Sequence, residues 1–255
     1  MPLKYPQFRE ALSPHTANGM VRDHEAYILY RIADTLPAQA VAIEIGCWKG
    51  KSSISICWGL ENVNGHLHTV DNFNGIENKP GWEKGAEVKK AFERNIATAN
   101  ATAYCTLHDM SSGDFSNHWN QDVDFVFIDG CHLYDAARFD IFAFMKFVKP
   151  GGWVAFHDIG MKESVVRAIL EFLEQYPKWD MEAVAWDNNL LALKRASSLG
   201  TAKPRWYLKL ILVLAPLACA TIPPSDKPFQ KIYAKLMQSL ARFIFRKISL
   251  ISKAT

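Results

Sequence analysis

Short apolar runs alternate with amphipathic stretches along most of this chain of 255 residues. Each run is rich in β-branched or aromatic residues and ends at a glycine, a polar residue or an acid, which is typical of buried strands. A final pair of short runs flanks Asp187-Asn188-Asn189 and indicates a hairpin. The predicted strands cover residues 41–46, 66–71, 101–107, 124–129 and 153–158, followed by a hairpin over 181–194.

The stretches between the strands carry apolar residues at helical spacing. Proline or glycine ends some of them, as at Pro37 and at Pro150-Gly151-Gly152. Strands that alternate with helices form a parallel sheet with both faces covered, so the sequence predicts an α/β fold. Residues 1–20 and 72–85 are predicted to be irregular, and helices are predicted over 21–36, 51–60, 86–98, 134–148 and 162–176.

The C-terminal part differs from the rest in charge. From Lys203 onward the chain has ten basic residues and one acid, a net charge of +9 within a total of +3, so the preceding part stands at −6. Apolar residues from Phe229 to Ile251 share one helical face, and basic residues take the opposite face. The sequence therefore predicts a domain at residues 1–200 and a basic amphipathic helical extension at 201–255.

Cysteine usage and the N-terminus indicate the compartment. The five cysteines are irregularly spaced and form no CxxC pair, which favours free thiols in a reducing compartment. Residues 1–10 lack the apolar core of a secretory signal, so a cytoplasmic protein is predicted. Three roles for residues 206–252 are compatible with the sequence: peripheral membrane contact, packing on the chain's own domain, or formation of a homo-oligomer.

Residues 41–53, VAIEIGCWKGKSS, join a predicted strand to a helix through a glycine turn. Gly46 and Gly50 allow close approach of the backbone, and the helix start at Ser52 and Ser53 offers free N–H groups to a nucleotide-like ligand. The spacing differs from the GxGxxG of pyrophosphate-binding turns, which favours S-adenosylmethionine over NAD. Glu44 lies inside the strand and needs a partner if it is buried.

Every principal strand ends at or near an acid. Asp71, Asp129 and Asp158 close their strands, and Asp109 follows the third strand. The carboxyl ends of parallel strands meet at one edge of a sheet, where ligands bind. Asp71 also follows the glycine turn at the distance usual for an acid that binds a ribose diol. The pattern therefore predicts one ligand site along this edge.

Four segments carry a family resemblance: EIGCWKGKSS, HTVDNF, FVFIDGCHLYDAARFD and VKPGGWVAFHD. In this order they resemble class I S-adenosylmethionine-dependent methyltransferases, and within them the branch of macrocin-type O-methyltransferases and cephalosporin-hydroxylase-like proteins. The resemblance covers roughly residues 17–195. It implies a Rossmann-like, doubly wound sheet of seven strands, mostly parallel, with an antiparallel C-terminal hairpin.

The resemblance also implies roles for single residues. An acceptor hydroxyl must lose its proton, and His132 matches the base, beside Asp129 at the reacting centre. Asp129 and Asp158 match the ligands of a Mg²⁺ ion. Relatives with a well-formed metal site tend to carry two acids where this chain has His157-Asp158, so sites with and without metal both stay open. The implied cofactor residues are Glu44, Gly46, Gly50, Ser52, Ser53, Asp71, Asp109 and Met110.

The predicted reaction is O-methylation of a hydroxyl on a sugar, a glycan or a small molecule. Nucleic acid is not a predicted partner, because no aromatic stacking platform accompanies the basic residues. Two alternatives stay open from the sequence. One is methyl transfer to nitrogen or carbon, and the other is a non-catalytic, membrane-tethered protein that retains the cofactor-binding fold.

Overall fold

A computed structural model describes residues 2–15, 19–74, 83–176, 181–187 and 189–196. The predicted extension at 201–255 therefore lies outside the described residues. Seven strands are present, β1 to β7 in chain order: Val41–Ile45, His66–Val70, Cys105–His108, Val123–Ile128, Val148–Phe156, Met181–Asp187 and Leu190–Arg195. Seven α-helices are described, α1 to α7: Tyr5–Leu12, Asp23–Asp34, Lys51–Glu61, Gly85–Thr98, Ser112–His118, Tyr134–Met145 and Glu163–Gln175.

The strands form one sheet in the order β3-β2-β1-β4-β5-β7-β6. The first five strands in chain order pair in parallel, and β7 pairs antiparallel with both β5 and β6. The sequence-based prediction of a mostly parallel, seven-stranded sheet with an antiparallel hairpin is thereby confirmed. The reversal of strand order beside β1 is the switch point at which open α/β sheets bind ligands.

Alternating side chains divide the core into two layers. On β4, Phe125 and Phe127 pack with helices α1 to α4, whereas Val126 and Ile128 pack with α5 to α7. Strands buried on both faces read as continuous apolar runs, which is why the sequence revealed them. The same alternation directs the side chain of Glu44 toward α3 and that of His157 toward α2. These two directions determine the contacts of both residues in the site described below.

Two helices were missed by the sequence-based prediction. Residues 1–20 were expected to be irregular, yet α1 forms there and buries Phe8 and Leu12. Helix α5 buries one apolar residue, Phe115, and begins at Ser111, whose hydroxyl accepts a hydrogen bond from the N–H of Asp114. Helices of two turns with so few buried residues carry too little periodicity to be recognised.

Two predicted boundaries were also wrong. The third strand was expected at 101–107, but its first half is a 3₁₀ turn at Thr102–Tyr104, and the strand is Cys105–His108. The helix expected over 134–148 ends at Met145, because the chain then extends into β5 at Val148. Among the described residues, all cysteines are free thiols and no helix is long and apolar enough to cross a membrane.

Candidate active site

The carboxyl ends of the parallel strands lie side by side, as the sequence predicted. Ile45 is in register with Val70 and with Ile128, and Ile128 is in register with Phe156. The residues that directly follow these positions therefore share one edge of the sheet. They are Gly46, Asp71, Asp129 and His157, and Asp109 follows β3 in the same way.

The turn after β1 requires glycine at two positions. Gly46 has φ +83°, and a Cβ built there would lie 2.3 Å from the carbonyl oxygen of Asp129. Gly50 has φ +88° and precedes α3, where a Cβ would lie 3.0 Å from the ring of Phe92. Trp48 between them is also left-handed, with φ +48°. The loop therefore reverses tightly beside the end of β4 and presents its N–H groups at the sheet edge.

Asp71 organises this loop. Its Oδ2 accepts hydrogen bonds from the backbone N–H groups of Cys47 at 3.0 Å and Trp48 at 3.2 Å. Its Oδ1 accepts the N–H of Phe73 at 2.8 Å. Oδ2 has thereby used both of its lone pairs, and Oδ1 keeps one for a further donor. The acid predicted to bind ribose thus also holds the glycine turn in place.

Glu44 has its partners on two neighbouring elements. Its side chain is 0% exposed, and Oε2 accepts hydrogen bonds from the hydroxyls of Ser53 at 2.5 Å and Thr69 at 2.8 Å. Oε1 is buried without a hydrogen-bond partner among the described residues. Burial raises the pKa of Glu44 to about 7, against the nearby hydroxyls of Ser52, Ser53 and Thr69, which lower it. Ser53 is thus committed to Glu44, and Ser52 is buried beside it.

Asp109 and Met110 lie apart from the glycine turn, on a cavity of about 730 Å³. Asn72 and Phe73, which follow β2, line the same cavity. Asp109 Oδ2 forms an ion pair with Lys89 Nζ of α4 at 2.7 Å. A cavity of this volume, with polar and apolar walls, suits a group of the size of a nucleoside.

The second half of the edge is a compact group of ionisable side chains. Asp129, His132 and Asp158 each bring one ligand-type atom within 4.8 Å of the others. His132 Nε2 lies 2.6 Å from Oδ2 of Asp158 and 3.9 Å from Oδ1 of Asp129. The carboxylates of Asp129 and Asp158 raise the pKa of His132 to about 9, although partial burial opposes them. His132 is therefore largely a cation at neutral pH in the resting protein.

Asp158 is fixed in an unusual backbone conformation with φ +58°. The amide of Asn189, just before β7, donates a 2.6 Å hydrogen bond to its Oδ1. Burial would raise the pKa of Asp158, but His132, His157 and Asn189 outweigh it and lower the pKa to about 2. The antiparallel hairpin therefore supplies an anchor for this carboxylate.

His157 sits behind this group and is 5% exposed. Its Nδ1 lies 3.2 Å from Oδ1 of Asp129 and 3.5 Å from Oδ1 of Asp158, and its Nε2 lies 3.2 Å from Oε2 of Glu25 in α2. Burial lowers the pKa of His157, but Asp129 and Glu25 outweigh it and raise the pKa to about 11.

Sequence reasoning left the role of His157 open and missed Glu25 and Asn189. Glu25 follows the face of α2 that carries Leu29 and Ile32, and an acid on an apolar face was the available signal. Asn189 was assigned only to a turn, because nothing local indicates that its amide reaches back to Asp158.

Comparisons with known proteins agree with this geometry. Residues 43–159 match a family described as "Methyltransferase domain". An O-methyltransferase from Bacillus cereus, solved with SAH, has 17% identity and a TM-score of 0.55, and the match covers 74% of this chain and 90% of that chain. The O-methyltransferase TomG from Streptomyces achromogenes, solved with SAM, has 18% identity with the same TM-score and coverage.

At these identities the likeness to solved structures establishes the fold. The family match begins in β1 and ends just after β5, so it spans the glycine turn and the ionisable group. The fold, the switch point beside β1 and this match agree. Residues 43–159 match a methyltransferase domain, and the chain has the fold of O-methyltransferases that were solved with SAM or SAH.

Proposed function

We propose that the chain transfers the methyl group of S-adenosylmethionine to a hydroxyl oxygen, with His132 as the base. The observation that carries this proposal is the contact of Asp129 with the glycine turn, together with the 3.9 Å between Oδ1 of Asp129 and Nε2 of His132. Asp129 donates its backbone N–H to Ile45 at 2.8 Å, and its carbonyl closes against Gly46. A hydroxyl held between this group and the turn lies where in-line attack on a sulfonium methyl can occur.

The base acts through one ring nitrogen of His132. Nε2 faces Asp158 at 2.6 Å, so Nδ1 is the atom that takes the proton from the acceptor. Ser164 fixes the backbone behind it, because its hydroxyl donates a 2.5 Å hydrogen bond to the carbonyl oxygen of His132. The neutral ring is the active form. A pKa of about 9 makes it the minor form at pH 7, roughly one molecule in a hundred.

The Mg²⁺ ion that the sequence left as a possibility is not part of this proposal. The spacing of Asp129, His132 and Asp158 suits a metal ion. The existing contacts of these acids suit a metal ion poorly. Oδ1 of Asp129 already faces the His157 ring, and Oδ1 of Asp158 accepts a hydrogen bond from the amide of Asn189. A nitrogen ligand at His132 is also a poor partner for Mg²⁺, which prefers oxygen. The reaction is therefore assigned to the side chains alone.

The cofactor is assigned along the other half of the edge. Its methionine part passes Gly46 and Gly50, and its sulfonium lies near the buried Glu44. The free lone pair of Asp71 Oδ1 accepts one ribose hydroxyl. Adenine enters the cavity beside Asp109 and Met110. Ser53 acts from behind the turn by donating its hydroxyl to Glu44, and Ser52 is buried beside them.

The acceptor class is a small molecule or a sugar with a free hydroxyl. The O-methyltransferase neighbours favour oxygen over nitrogen or carbon. The methyltransferase assignment favours an enzyme over a non-catalytic, membrane-tethered protein. Membrane contact or oligomer formation through residues 206–252 stays a prediction.

Calorimetry with S-adenosylmethionine and a turnover screen test the proposal. The chain is expected to bind the cofactor and to add one methyl group to a hydroxyl compound from a panel of sugars and phenols, detected by mass spectrometry. His132→Asn should retain cofactor affinity and lose turnover. Methylation of an amine in preference to every hydroxyl, or full turnover by His132→Asn, would overturn the assignment.

A further inference from the structure

Three histidines form a row on the outer strands of the sheet, away from the proposed methyl-transfer group. His66 and His68 lie on β2, and His108 lies on β3, which is the outermost strand on that side. His68 is in register with Thr106, and Val70 is in register with His108, so the three imidazoles project from the same face. The ring centroids are 5.1 Å apart from His66 to His68 and 5.3 Å apart from His68 to His108. The proposed reaction uses none of these rings.

Two of the three rings share one proton. Nδ1 of His68 lies 3.0 Å from Nε2 of His108, so one of these nitrogens donates its N–H and the other accepts with its lone pair. Burial, His66 and His108 lower the pKa of His68 to about 4, and burial and His66 lower the pKa of His108. Both rings are therefore neutral at pH 7, and neutral imidazole is the form that binds metal ions.

The distance between the two nitrogens matches that between two ligands of a single ion. Imidazole nitrogen binds Zn²⁺ at about 2.0 Å, so nitrogens at neighbouring positions of such an ion lie roughly 2.8–3.3 Å apart. The 3.0 Å between His68 and His108 falls in this range. On binding, the shared proton moves to the far nitrogen of its own ring, and the rings tilt so that both lone pairs face the ion. Each ring keeps one N–H, so no proton has to leave the protein.

Aromatic side chains at α5 fix the two imidazoles in place. The ring of Trp119, which directly follows α5, lies 4.7 Å from that of His68, and the ring of Phe115 lies 4.6 Å from that of His108. The three histidines are only partly buried, so an ion can reach them from solvent. His66 stands beside the pair as the next imidazole of the row. Two ligands are thus held at the spacing that an ion requires.

We propose that His68 and His108 form a binding site for a divalent transition-metal ion that prefers imidazole, the class of Zn²⁺ and Cu²⁺. Water completes the coordination of the ion. Strands β1 and β4 lie between this pair and Asp158, which follows β5, so the site is separate from the group of Asp129, His132 and Asp158. The proposal goes beyond the proposed methyl transfer and does not depend on it.

Electron paramagnetic resonance of Cu²⁺ tests the site in the wild type, so no variant has to fold. Cu²⁺ is added at less than one equivalent to the full chain after metal has been removed with a chelator. Splitting of the signal by ligand nitrogens is expected to show at least two imidazoles on the ion. A signal from one nitrogen or none, or a signal that disappears in His132→Asn, would overturn the proposal, because the ion would then lie elsewhere.

Titration calorimetry of Cu²⁺ with variants identifies the ligands. His68→Gln and His108→Gln should each weaken binding at least about tenfold. His15→Gln is the matched control and should bind as the wild type does, because His15 also contacts a threonine hydroxyl and a tryptophan ring but is paired with Thr98 and Trp58 instead of a second imidazole. Wild-type affinity in both pair variants, with thermal melting showing that they fold, would overturn the proposal.

Tryptophan fluorescence reports the position of the ion independently. Cu²⁺ quenches nearby indole rings, and the ring of Trp119 is 4.7 Å from that of His68. Trp119→Phe should therefore remove most of the fluorescence that substoichiometric Cu²⁺ quenches in the wild type, whereas Trp58→Phe, beside the control residue His15, should leave the quenched part unchanged. Quenching that is the same in the wild type and in Trp119→Phe would contradict a site at His68 and His108.

Discussion

Replacing Glu44 by glutamine should make the stability of the protein less dependent on pH. The pKa of Glu44 is about 7 in the folded chain against 4.5 as its ordinary value. The unfolded chain therefore ionises this group more readily, and ionisation favours unfolding. The destabilisation is absent below pH 4.5, grows as the pH rises, and is complete above pH 7. A difference of 2.5 in pKa corresponds to roughly 3 kcal/mol.

The substitution isolates this effect because it preserves the shape of the contact. The amide oxygen of Glu44→Gln can still accept from Ser53 and Thr69, while its NH₂ takes the place of the unpartnered Oε1. A buried NH₂ without an acceptor costs about 1–3 kcal/mol at every pH. The difference in unfolding free energy between the two proteins should therefore move by roughly 3 kcal/mol in favour of Glu44→Gln between pH 4.5 and pH 8.

Urea unfolding of both full chains at pH 4.5 and pH 8 measures this difference. Other groups that titrate, His157 among them, contribute equally to both chains and cancel. A difference that stays constant within about 1 kcal/mol between the two pH values would refute the reasoning, since that is smaller than one pKa unit.

Protonation of Glu44 also provides a test of where the cofactor binds. If the sulfonium cation lies beside Glu44, it stabilises the carboxylate, and binding at pH 6.5 should release a proton. Calorimetry in two buffers of different ionisation enthalpy counts that proton. Glu44→Gln should release none, and equal release by both chains would place the sulfonium elsewhere.

Three further predictions follow from the site. The turnover rate should rise about tenfold per pH unit between pH 7 and pH 9 and then level off, because only neutral His132 is active and its pKa is about 9; a flat profile would rule out His132 as the base. Asp71→Asn should lower the unfolding free energy by about 1.5–3 kcal/mol and weaken cofactor binding, because a charged acceptor of three backbone N–H groups is lost. Unchanged denaturant midpoints would contradict this. Gly46→Ala should prevent folding or cofactor binding, because its Cβ would lie 2.3 Å from the carbonyl of Asp129, whereas Gly113→Ala in α5, with no contact under 3.6 Å, should be neutral or slightly stabilising by thermal melting.

The parts of the fold that are local in sequence could be predicted from it. Buried strands are continuous apolar runs, and each acid that follows a strand falls on the same edge once the strands are parallel. The structure places Asp71 and Asp129 on one edge of the sheet, and ligand-type atoms of Asp129 and Asp158 lie within 4.8 Å of each other. The sequence could not reveal that Oδ2 of Asp71 is filled by backbone N–H groups, since hydrogen-bond direction depends on the left-handed backbone at Gly46 and Trp48.

Contacts between distant segments account for the rest. Glu25 and His157 are separated by 132 positions, and their pairing depends on α2 crossing the sheet face on which the side chain of His157 lies. Asn189 reaches Asp158 because the hairpin runs antiparallel to β5. No periodicity encodes either contact, so residues that support the acids were missed while the acids themselves were found.

The hold of Asp71 on the glycine turn has a thermodynamic consequence. Its three hydrogen bonds keep the loop in its tight conformation before any ligand arrives, so the cofactor meets a preorganised surface. Association then loses little backbone entropy in this segment, and more of the contact energy is retained as affinity. The rate of cofactor association should accordingly be limited by diffusion and by the shape of the cavity mouth. No slow kinetic phase from ordering of residues 46–50 is expected.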